Sequence, residues 1–220
     1  MHKMSAPINE AELRELVRAR LVCRAQAQGL RVYEELAIER GSARVDLALV
    51  GEELEGFELK SDFDTFGRLH NQIHAYNRVF DRITIVTGAA LLDAAVEIMP
   101  SWWGIWTVKR LEDGALAIEE IRGPSANLSQ DIRSLASLLW REEAVSLLED
   151  QVGAQPKKAS RAALCETIAE KIELGTLRRH VAQRLVERQA VTTKTARPAS
   201  APSGDWSHLD ANCLDSRFLI

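Results

Sequence analysis

The sequence predicts an α/β protein in which a mixed sheet is flanked by helices and followed by an all-α C-terminal extension. Over residues 9–122 the spacing of apolar residues switches between helical and strand periods in the order αβββαβ, with further β structure at the end. After Gly123-Pro124 only the helical period remains. The chain has 220 residues, of which 46% are hydrophobic and 27% charged, which allows one sizeable soluble domain and an appendage.

Residues 9–28 are predicted to form the first helix, because their apolar side chains recur at helical spacing. Asn9 is a suitable N-cap for this helix, and Gly29 is a suitable stop. The period then changes to that of strands, which are predicted at 32–39, 44–50 and 56–60, with glycine in the turns between them.

The rest of the predicted sheet alternates with helices. A helix is expected over about residues 67–80, with Asp64 or Thr65 as its cap. RITIVTG (82–88) is rich in β-branched residues and predicts a strand, and a short helix is expected at 90–98. WWGIWTV and ALAIEE, joined through EDG, are predicted to form a closing hairpin.

Beyond the hairpin, amphipathic patterns predict helices within 127–150, 160–173 and 176–190. From Val191 the string TTKTARPASAPSGD is typical of a flexible linker. The chain is therefore expected to divide into an α/β domain, a helical domain, and a linker with a tail, at residues 1–122, 123–190 and 191–220.

The composition excludes several classes of protein. A net charge of -4 argues against a nonspecific nucleic-acid coat. MHKMSAPINE lacks the apolar core of a secretory signal, and the longest apolar tract (83–108) is broken by Asp93, Glu97 and Pro100, so no membrane span is expected. The three cysteines form no CxxC pair, and a reducing cytoplasm is the expected location.

The strand GFELK carries Glu58 and Lys60 on one face, because side chains alternate along a strand. Asp46 lies in the preceding strand, with Val45 and Leu47 expected on the opposite face, and matching parity brings it across from Glu58 or Lys60. Two carboxylates and an ammonium group on an apolar sheet are costly to bury unless they pair or bind a metal. Oxygen ligands of this kind suit Mg²⁺ or Mn²⁺.

The helix after this strand adds to the same patch. Arg68, Gln72 and Tyr76 are spaced by four residues and share a face, on which Arg68 and Tyr76 are candidate DNA contacts. With a metal held by Asp46 and Glu58 and a lysine that positions the nucleophile, the constellation predicts a site for phosphodiester hydrolysis.

Asp46, eleven further residues and then Glu58-Leu59-Lys60 resemble the PD-(D/E)XK nuclease signature, set in that superfamily's αβββαβ order. The upstream acid of the family pattern is matched by Glu35, and its helical glutamine by Gln72. GFELKSDFDTFGRLHNQIHAYNRVFD, PSWWGIW and SLLWREEAVSLLE are similar to an uncharacterised bacterial family assigned to that superfamily, over roughly residues 10–190. Val45 stands where the pattern has proline.

The resemblance implies a restriction-endonuclease-like core and a metal-dependent DNA nuclease. In that case Asp46 and Glu58 bind Mg²⁺ or Mn²⁺, Lys60 positions the nucleophile, Glu35 assists the metal or water, and Gln72 orients Lys60 or a phosphate. A role in DNA repair and a role in mobile-element or defence biology are both open, and so is assembly as a homodimer.

Competing interpretations remain at this stage. The three charged residues of the site would also suit an ion-pair cluster on an edge strand, and a nuclease fold can persist as an inactive DNA-binding or partner-binding module. Glu34 and Glu39 compete with Glu35 for the role of the accessory acid. Glu35 is preferred only because it matches the family pattern. A weaker alternative is an interaction protein that uses its helical C-terminus.

Basic residues are concentrated in the C-terminal helices. They suggest either a surface that contacts phosphates or a solvated helical face, and the candidate DNA contacts are Lys157, Lys158, Arg161, Arg178 and Arg179.

Two further patterns are set aside. His70 and His74 have the spacing of a zinc helix but lack a third ligand, so a solvated or phosphate-facing pair is expected. The tryptophans of PSWWGIW are expected to pack in the interior rather than to stack on bases.

Overall fold

A computed structural model describes residues 6–67, 69–153 and 158–195, with side chains as far as Arg188. Six strands form one sheet, namely β1 (Arg31–Ile38), β2 (Ala43–Val50), β3 (Leu54–Lys60), β4 (Arg82–Gly88), β5 (Gly104–Arg110) and β6 (Leu116–Arg122). The α-helices of the described residues are α1 (Glu10–Gln28), α2 (Leu69–Asn77), α3 (Leu92–Ile98), α4 (Ile132–Ala136), α5 (Arg141–Gln151), α6 (Arg161–Lys171) and α7 (Leu174–Thr195).

The strands lie in the sheet in their sequence order. β1, β2 and β3 form an antiparallel meander, β3, β4 and β5 run parallel, and β6 returns antiparallel to β5. The prediction of an α/β protein with a mixed sheet, flanking helices and a helical C-terminal part is therefore confirmed. The predicted strands agree with the observed ones to within about two residues at most ends.

Helix α1 begins and ends where its capping residues predicted. The side chain of Asn9 accepts from the backbone N–H of Glu12, and the side chain of Glu12 accepts in return from the backbone N–H of Asn9. Gly29 ends the helix in the left-handed conformation at φ 69°. Such reciprocal capping satisfies backbone donors that a helix leaves free, so the entry and exit of α1 are well defined.

The sheet separates two layers of apolar packing. On one face, α1 buries Leu13, Val17 and Leu21 against Phe57 and Leu59 of β3. The other face carries α2 and the C-terminal helices. Burial of leucine and phenylalanine side chains stabilises by roughly 1.5–3 kcal/mol each, so both layers contribute strongly to folding.

The C-terminal helices share the second layer rather than forming a separate core. Leu139, Ile168 and Leu185 belong to the same buried cluster as Ile83 and Ile85 of β4. The expected boundary after residue 122 coincides with the end of β6, but the apolar core continues across it.

Helix α7 continues to Thr195, into the segment predicted as a linker, and the expected tail at 196–220 lies outside the described residues. In the part of the chain that the structure covers, no helix is long and apolar enough to span a bilayer.

Helix α2 is shorter than expected, since it ends at Asn77 rather than near residue 80. The ring of Phe80 then packs on Gly56, where an added Cβ would lie 3.1 Å from the ring. Asp64 also has a different role from the predicted cap, since its carboxylate accepts from the backbone N–H and the hydroxyl of Ser61. The tryptophan prediction holds for Trp103, which is fully buried.

Candidate functional site

The candidate site lies where strands β2 and β3 separate. Their backbone pairing runs from Val50 and Leu54 to Leu47 and Phe57. Beyond that point a side chain replaces the backbone as acceptor. Oδ2 of Asp46 accepts from the backbone N–H of Leu59 at 2.8 Å. Asp46 is thereby held next to the strand that carries Glu58 and Lys60.

Glu58 is the centre of the site, with 1% of its surface exposed. Its Oε1 accepts from Lys60 Nζ at 2.6 Å and from Gln72 Nε2 at 2.8 Å. Its Oε2 lies 2.7 Å from the hydroxyl of Tyr76. The structure thus brings Lys60, Gln72 and Tyr76, all singled out in the sequence, onto one buried carboxylate.

Burial raises the pKa of the Glu58 carboxyl, and the negative charge of Asp46 raises it further, while Lys60 opposes the shift. A buried carboxylate with a perturbed pKa and an acidic neighbour is typical of functional sites, because such an arrangement costs stability. The two acids therefore repel each other across the gap between β2 and β3.

Tyr76 supports Glu58 from inside the protein. Its hydroxyl also lies 2.6 Å from the carbonyl oxygen of Arg44, and its single hydrogen can donate to only one of these two oxygens at a time. Burial and the charge of Glu58 raise the pKa of Tyr76, which keeps the hydroxyl protonated. Since Tyr76 is fully buried, its predicted contact with DNA has to be corrected to a contact with Glu58.

Arg14 of α1 joins Asp46 to Glu35, and no sequence pattern had singled it out. Its guanidinium binds Asp46 Oδ1 at 2.8 Å and Glu35 Oε1 at 2.9 Å. The same group also contacts Glu10 at 3.1 Å. Glu35 therefore stands beside Asp46 as the family pattern implied, but a cation of the protein itself lies between them.

The site coincides with an irregularity in the β1–β2 ladder. The pairs on either side are Glu34 with Leu47 and Leu36 with Val45, while Glu35 has a positive φ of 53°. A non-glycine residue in that region is strained, and such strain concentrates at functional positions.

The irregularity also changes which face the flanking side chains occupy. Val45 packs with the α2 layer, whereas Leu47 packs with the α1 layer. The expectation that both lie on one face was therefore wrong, since they lie on opposite faces of the sheet. A local break in the alternation of side chains beside Glu35, which the sequence pattern does not reveal, is the physical reason.

The other two candidates for the accessory acid are engaged elsewhere. Glu34 binds Arg18 at 2.6 Å, and Glu39 lies 3.6 Å from Arg78. Of the three acids, Glu35 is the one that shares a partner with Asp46.

A metal ion at this site would depend on the carboxylates of Asp46 and Glu58. Among the described residues, no group of three or more His, Cys, Asp and Glu side chains is placed to hold a metal. A carboxylate offers about four lone-pair sites, of which Asp46 uses two and Glu58 three for the contacts above. The remaining sites fit Mg²⁺, which binds through one or two carboxylates and keeps waters and phosphate oxygens as its other ligands.

An open cleft of about 970 Å³ leads to the site and is lined by Lys60 and Gln72. Its walls carry four further groups with basic or imidazole side chains, Arg44, His70, His74 and Arg78. The acids Glu39 and Asp64 also line it, so in its described lining three cationic side chains, those of Arg44, Lys60 and Arg78, stand against two acidic ones. Both histidines thus line the cleft. Arg44 and Arg78 line it too, although no sequence pattern had singled them out.

The basic residues of the C-terminal helices are spread over more than one surface. Arg161 donates to the carbonyl of Ser137 and, together with Arg40, lies close to Cys165. This end of α6 is therefore next to the turn between β1 and β2, whose Glu39 lines the cleft. Lys158 is exposed just before α6. Arg68 and Lys157 lie outside the described residues.

Arg178 and Arg179 lie at the other end of the molecule from the cleft. They border a groove beside Gly51 and Glu53, in the turn that precedes β3, whereas Lys60 ends β3. A strand of this length spans about 20 Å. Arg178 forms an ion pair with the buried Asp81, so the predicted contact of Arg178 with DNA has to be corrected. Arg179 is exposed, but on a surface separate from the cleft.

The fold and the site define an α/β protein with a buried carboxylate–lysine cluster at the base of a basic cleft. The chain belongs to the family described as Bacteriophage P4 protein cII, which it matches over residues 5–199.

Two individual proteins are similar to this chain, one in sequence and one in a structural comparison. Protein cII of Enterobacteria phage P4 is 38% identical over 55 residues, which are 25% of this chain and 21% of the phage protein. The match thus spans about a fifth of that relative's length. A solved structure of a protein of unknown function from Silicibacter pomeroyi has a TM-score of 0.34 at 18% identity, covering 83% of this chain and 94% of that one. A similarity at this level assigns no fold.

Proposed function

We propose that the protein is a metal-dependent nuclease that hydrolyses phosphodiester bonds of DNA, with a core of the restriction-endonuclease type. The observation that carries the proposal is the buried Glu58, held by Lys60 and Gln72 beside Asp46 at the base of a basic cleft. Burying an acid, a lysine and an amide together costs free energy that apolar side chains at the same positions would not cost. The three groups suit a site where a phosphate is attacked.

Asp46 and Glu58 would hold Mg²⁺ or Mn²⁺, because their mutual repulsion is what a divalent cation relieves. When bound, the ion would polarise the phosphate and lower the pKa of a water molecule. Leu59 N–H holds one oxygen of Asp46 in place, so the carboxylate has a defined direction.

Lys60 has the central chemical role in this proposal. Its ammonium group contacts Glu58 and lines the cleft, so it can reach a phosphate that enters. There it would position the attacking water and stabilise the negative charge that develops on the phosphorus oxygens. Gln72 and Lys60 both donate to Glu58 Oε1, so Gln72 would help to orient Lys60. Glu35 would assist from the outer side of Asp46.

The cleft walls would bind the DNA backbone. Arg44, His70 and His74 are exposed, and phosphate contacts of this kind supply affinity without reading the base sequence. Lys158 and Arg161 would extend this surface along the start of α6. The relationship to a bacteriophage protein favours the mobile-element setting over repair.

The proposal predicts that the purified protein cleaves DNA when Mg²⁺ or Mn²⁺ is present. The assay compares linear, nicked, branched and single-stranded DNA, with EDTA as the control, and calorimetry measures metal binding directly. Cleavage that depends on the metal is expected. If the protein neither cleaves any of these substrates nor binds either metal, the enzymatic proposal is wrong.

A second candidate is supported by Arg14. Because its guanidinium binds Asp46 and Glu35, it neutralises acids that a metal site would need. The same fold could then serve as an inactive module that binds DNA or a partner. DNA binding that is unaffected by metal, together with no cleavage, would support this module over the nuclease.

Replacement of Arg44 by alanine is expected to weaken DNA binding several-fold without changing the fold. The side chain of Arg44 is 59% exposed and lies 3.9 Å from Glu35, so few protein contacts are lost. Loss of one phosphate contact lowers the slope of log K against log salt by about 0.9 for duplex DNA. Fluorescence anisotropy titrations at several salt concentrations measure both quantities.

Arg179→Ala is the matched control for this experiment, because Arg179 is also exposed but lies away from the cleft. It should leave affinity and salt slope unchanged. Equal effects of the two substitutions would contradict the assignment of the cleft as the DNA surface.

A further inference from the structure

Phe63 is an exposed aromatic side chain in a segment whose neighbouring residues line the cleft. It lies in the segment between β3 and α2, where Lys60 and Asp64 on either side of it line the cleft. The side chain is 70% exposed. Isolated exposed apolar residues are common on protein surfaces, so exposure alone is no argument for function.

The backbone on both sides of Phe63 is held rigidly, which separates it from a ring on a mobile loop. Asp62 accepts from Ile8 N–H at 2.7 Å and from Ala90 N–H at 3.0 Å, and its own N–H donates to the carbonyl of Ile8. Asp64 accepts from Ser61 N–H at 2.8 Å and donates its own N–H to the carbonyl of Ser61. The structure therefore presents the ring to solvent in a defined place.

Apart from the imidazoles of His70 and His74, the described lining of the cleft offers no aromatic ring for stacking. None of the described residues that line it is phenylalanine, tyrosine or tryptophan. Tyr76 and Trp103 are buried, and the ring of Trp106 packs against Phe57 on the far face of the sheet. Phe63, one position before Asp64 and three after Lys60, is an exposed ring close along the chain to residues of the cleft wall.

We propose that Phe63 stacks on an unpaired base next to the phosphate bound in the cleft, and that the protein prefers DNA with single-stranded character. The inference rests on the proposed function, because it needs DNA in the cleft. A base must leave its duplex neighbour to expose a face for stacking, and single-stranded binders combine a basic groove with aromatic rings in this way. Phe63 would then determine which DNA structure is bound, while the chemistry lies with Glu58 and Lys60.

The test measures binding of one labelled oligonucleotide, single-stranded and as a duplex, in EDTA so that no cleavage occurs. Phe63→Ala is expected to weaken single-strand binding by about 5- to 100-fold, which corresponds to the usual contribution of one stacked base. Duplex binding should change less than about twofold by the same reasoning, because paired bases offer no free face. Phe63→Trp should keep the affinity, whereas Phe63→Leu, which keeps the apolar surface but not the ring, should not.

Leu128→Ala is the matched control, since Leu128 is 97% exposed and does not line the cleft. It should bind both forms of DNA as the wild type does. Thermal melts of each variant confirm that the fold is kept.

A 2-aminopurine base gives a second readout. Placed at successive positions of the single strand, it should be quenched at one position by the wild type and not by Phe63→Ala. Equal loss of single-strand and duplex binding, or no loss at all in Phe63→Ala, would overturn the stacking role. If the wild type still cleaves DNA in that case, the proposed function stands; if it neither binds nor cleaves DNA, both proposals fail.

Discussion

Lys60→Met is expected to abolish DNA cleavage, with a loss of at least about 100-fold in rate. Removal of a single group that stabilises transition-state charge typically costs about 10²–10³ in rate, or roughly 3–4 kcal/mol. Methionine keeps an unbranched apolar stem as far as Cε but removes the ammonium group that contacts Glu58 at 2.6 Å. Initial rates with Mg²⁺, on whichever DNA the wild type cleaves best, measure the effect.

Lys109→Met is the matched control. Lys109 is also a strand lysine paired with a glutamate, Glu119, but both side chains are about half exposed and lie on the β5–β6 hairpin. An exposed pair of this kind contributes little, so activity and stability should remain near those of the wild type. A Lys60→Met variant that cleaves as fast as Lys109→Met would refute the assignment of Lys60.

The two carboxylates allow the metal site to be tested separately from the lysine. Asp46→Asn keeps an acceptor for Leu59 N–H, and Glu58→Gln keeps the shape of the buried group, but each removes a charge. Both variants are expected to lose metal binding in calorimetry as well as cleavage, whereas Lys60→Met should still bind metal. Loss of cleavage in all three with unchanged metal binding would move the metal away from Asp46 and Glu58.

The fold was largely predictable because its signals are local. The cap at Asn9 and the stop at Gly29 directly adjoin the helix they delimit, and the β-branched run of β4 specifies a strand by itself. The end of α2 was not predictable in the same way, since the chain that follows it is held by packing of Phe80 on Gly56 of β3. Tertiary contacts of this kind decide element ends more than local propensity does.

The site was predictable in its inner part and not in its outer part. Glu58, Lys60 and Gln72 lie within fifteen positions of each other, so strand and helix periods already place them together. Arg14 approaches Asp46 from a helix 32 positions earlier, and no pattern within α1 marks it as different from the other arginines there. The break at Glu35 was hidden for a related reason, because a positive φ at a non-glycine residue leaves no trace in composition.

The clearest failure of charge patterning concerns Arg178, for which a large loss of stability is expected on substitution. Arg178→Ala should destabilise the protein by about 2–3 kcal/mol, because it leaves the carboxylate of Asp81 buried without its cation. The value lies below the usual range for a broken buried pair, since Arg178 itself is 35% exposed and water can partly replace it. Denaturation by urea measures the free energy of unfolding.

The adjacent Arg179 provides the control, because its side chain is exposed and contacts Thr176 only weakly at 3.3 Å. Arg179→Ala should change stability by less than about 0.5 kcal/mol. Asp81→Asn in the Arg178→Ala background should recover part of the loss, since asparagine can still accept from Leu54 N–H but carries no charge.

The loss in Arg178→Ala should also depend on pH in a defined direction. Burial raises the pKa of Asp81 in the folded protein, and Arg178 opposes that shift. Without the arginine the folded-state pKa rises further above the unfolded value, so the variant takes up a proton on folding and gains stability relative to the wild type as the pH falls. The difference between the two proteins should therefore be largest at neutral pH and shrink as the pH falls through the raised pKa of Asp81. If Arg178→Ala instead keeps its stability at neutral pH but binds DNA more weakly, the arginine is a nucleic-acid contact, as its charge pattern predicted, and the ion pair with Asp81 contributes nothing.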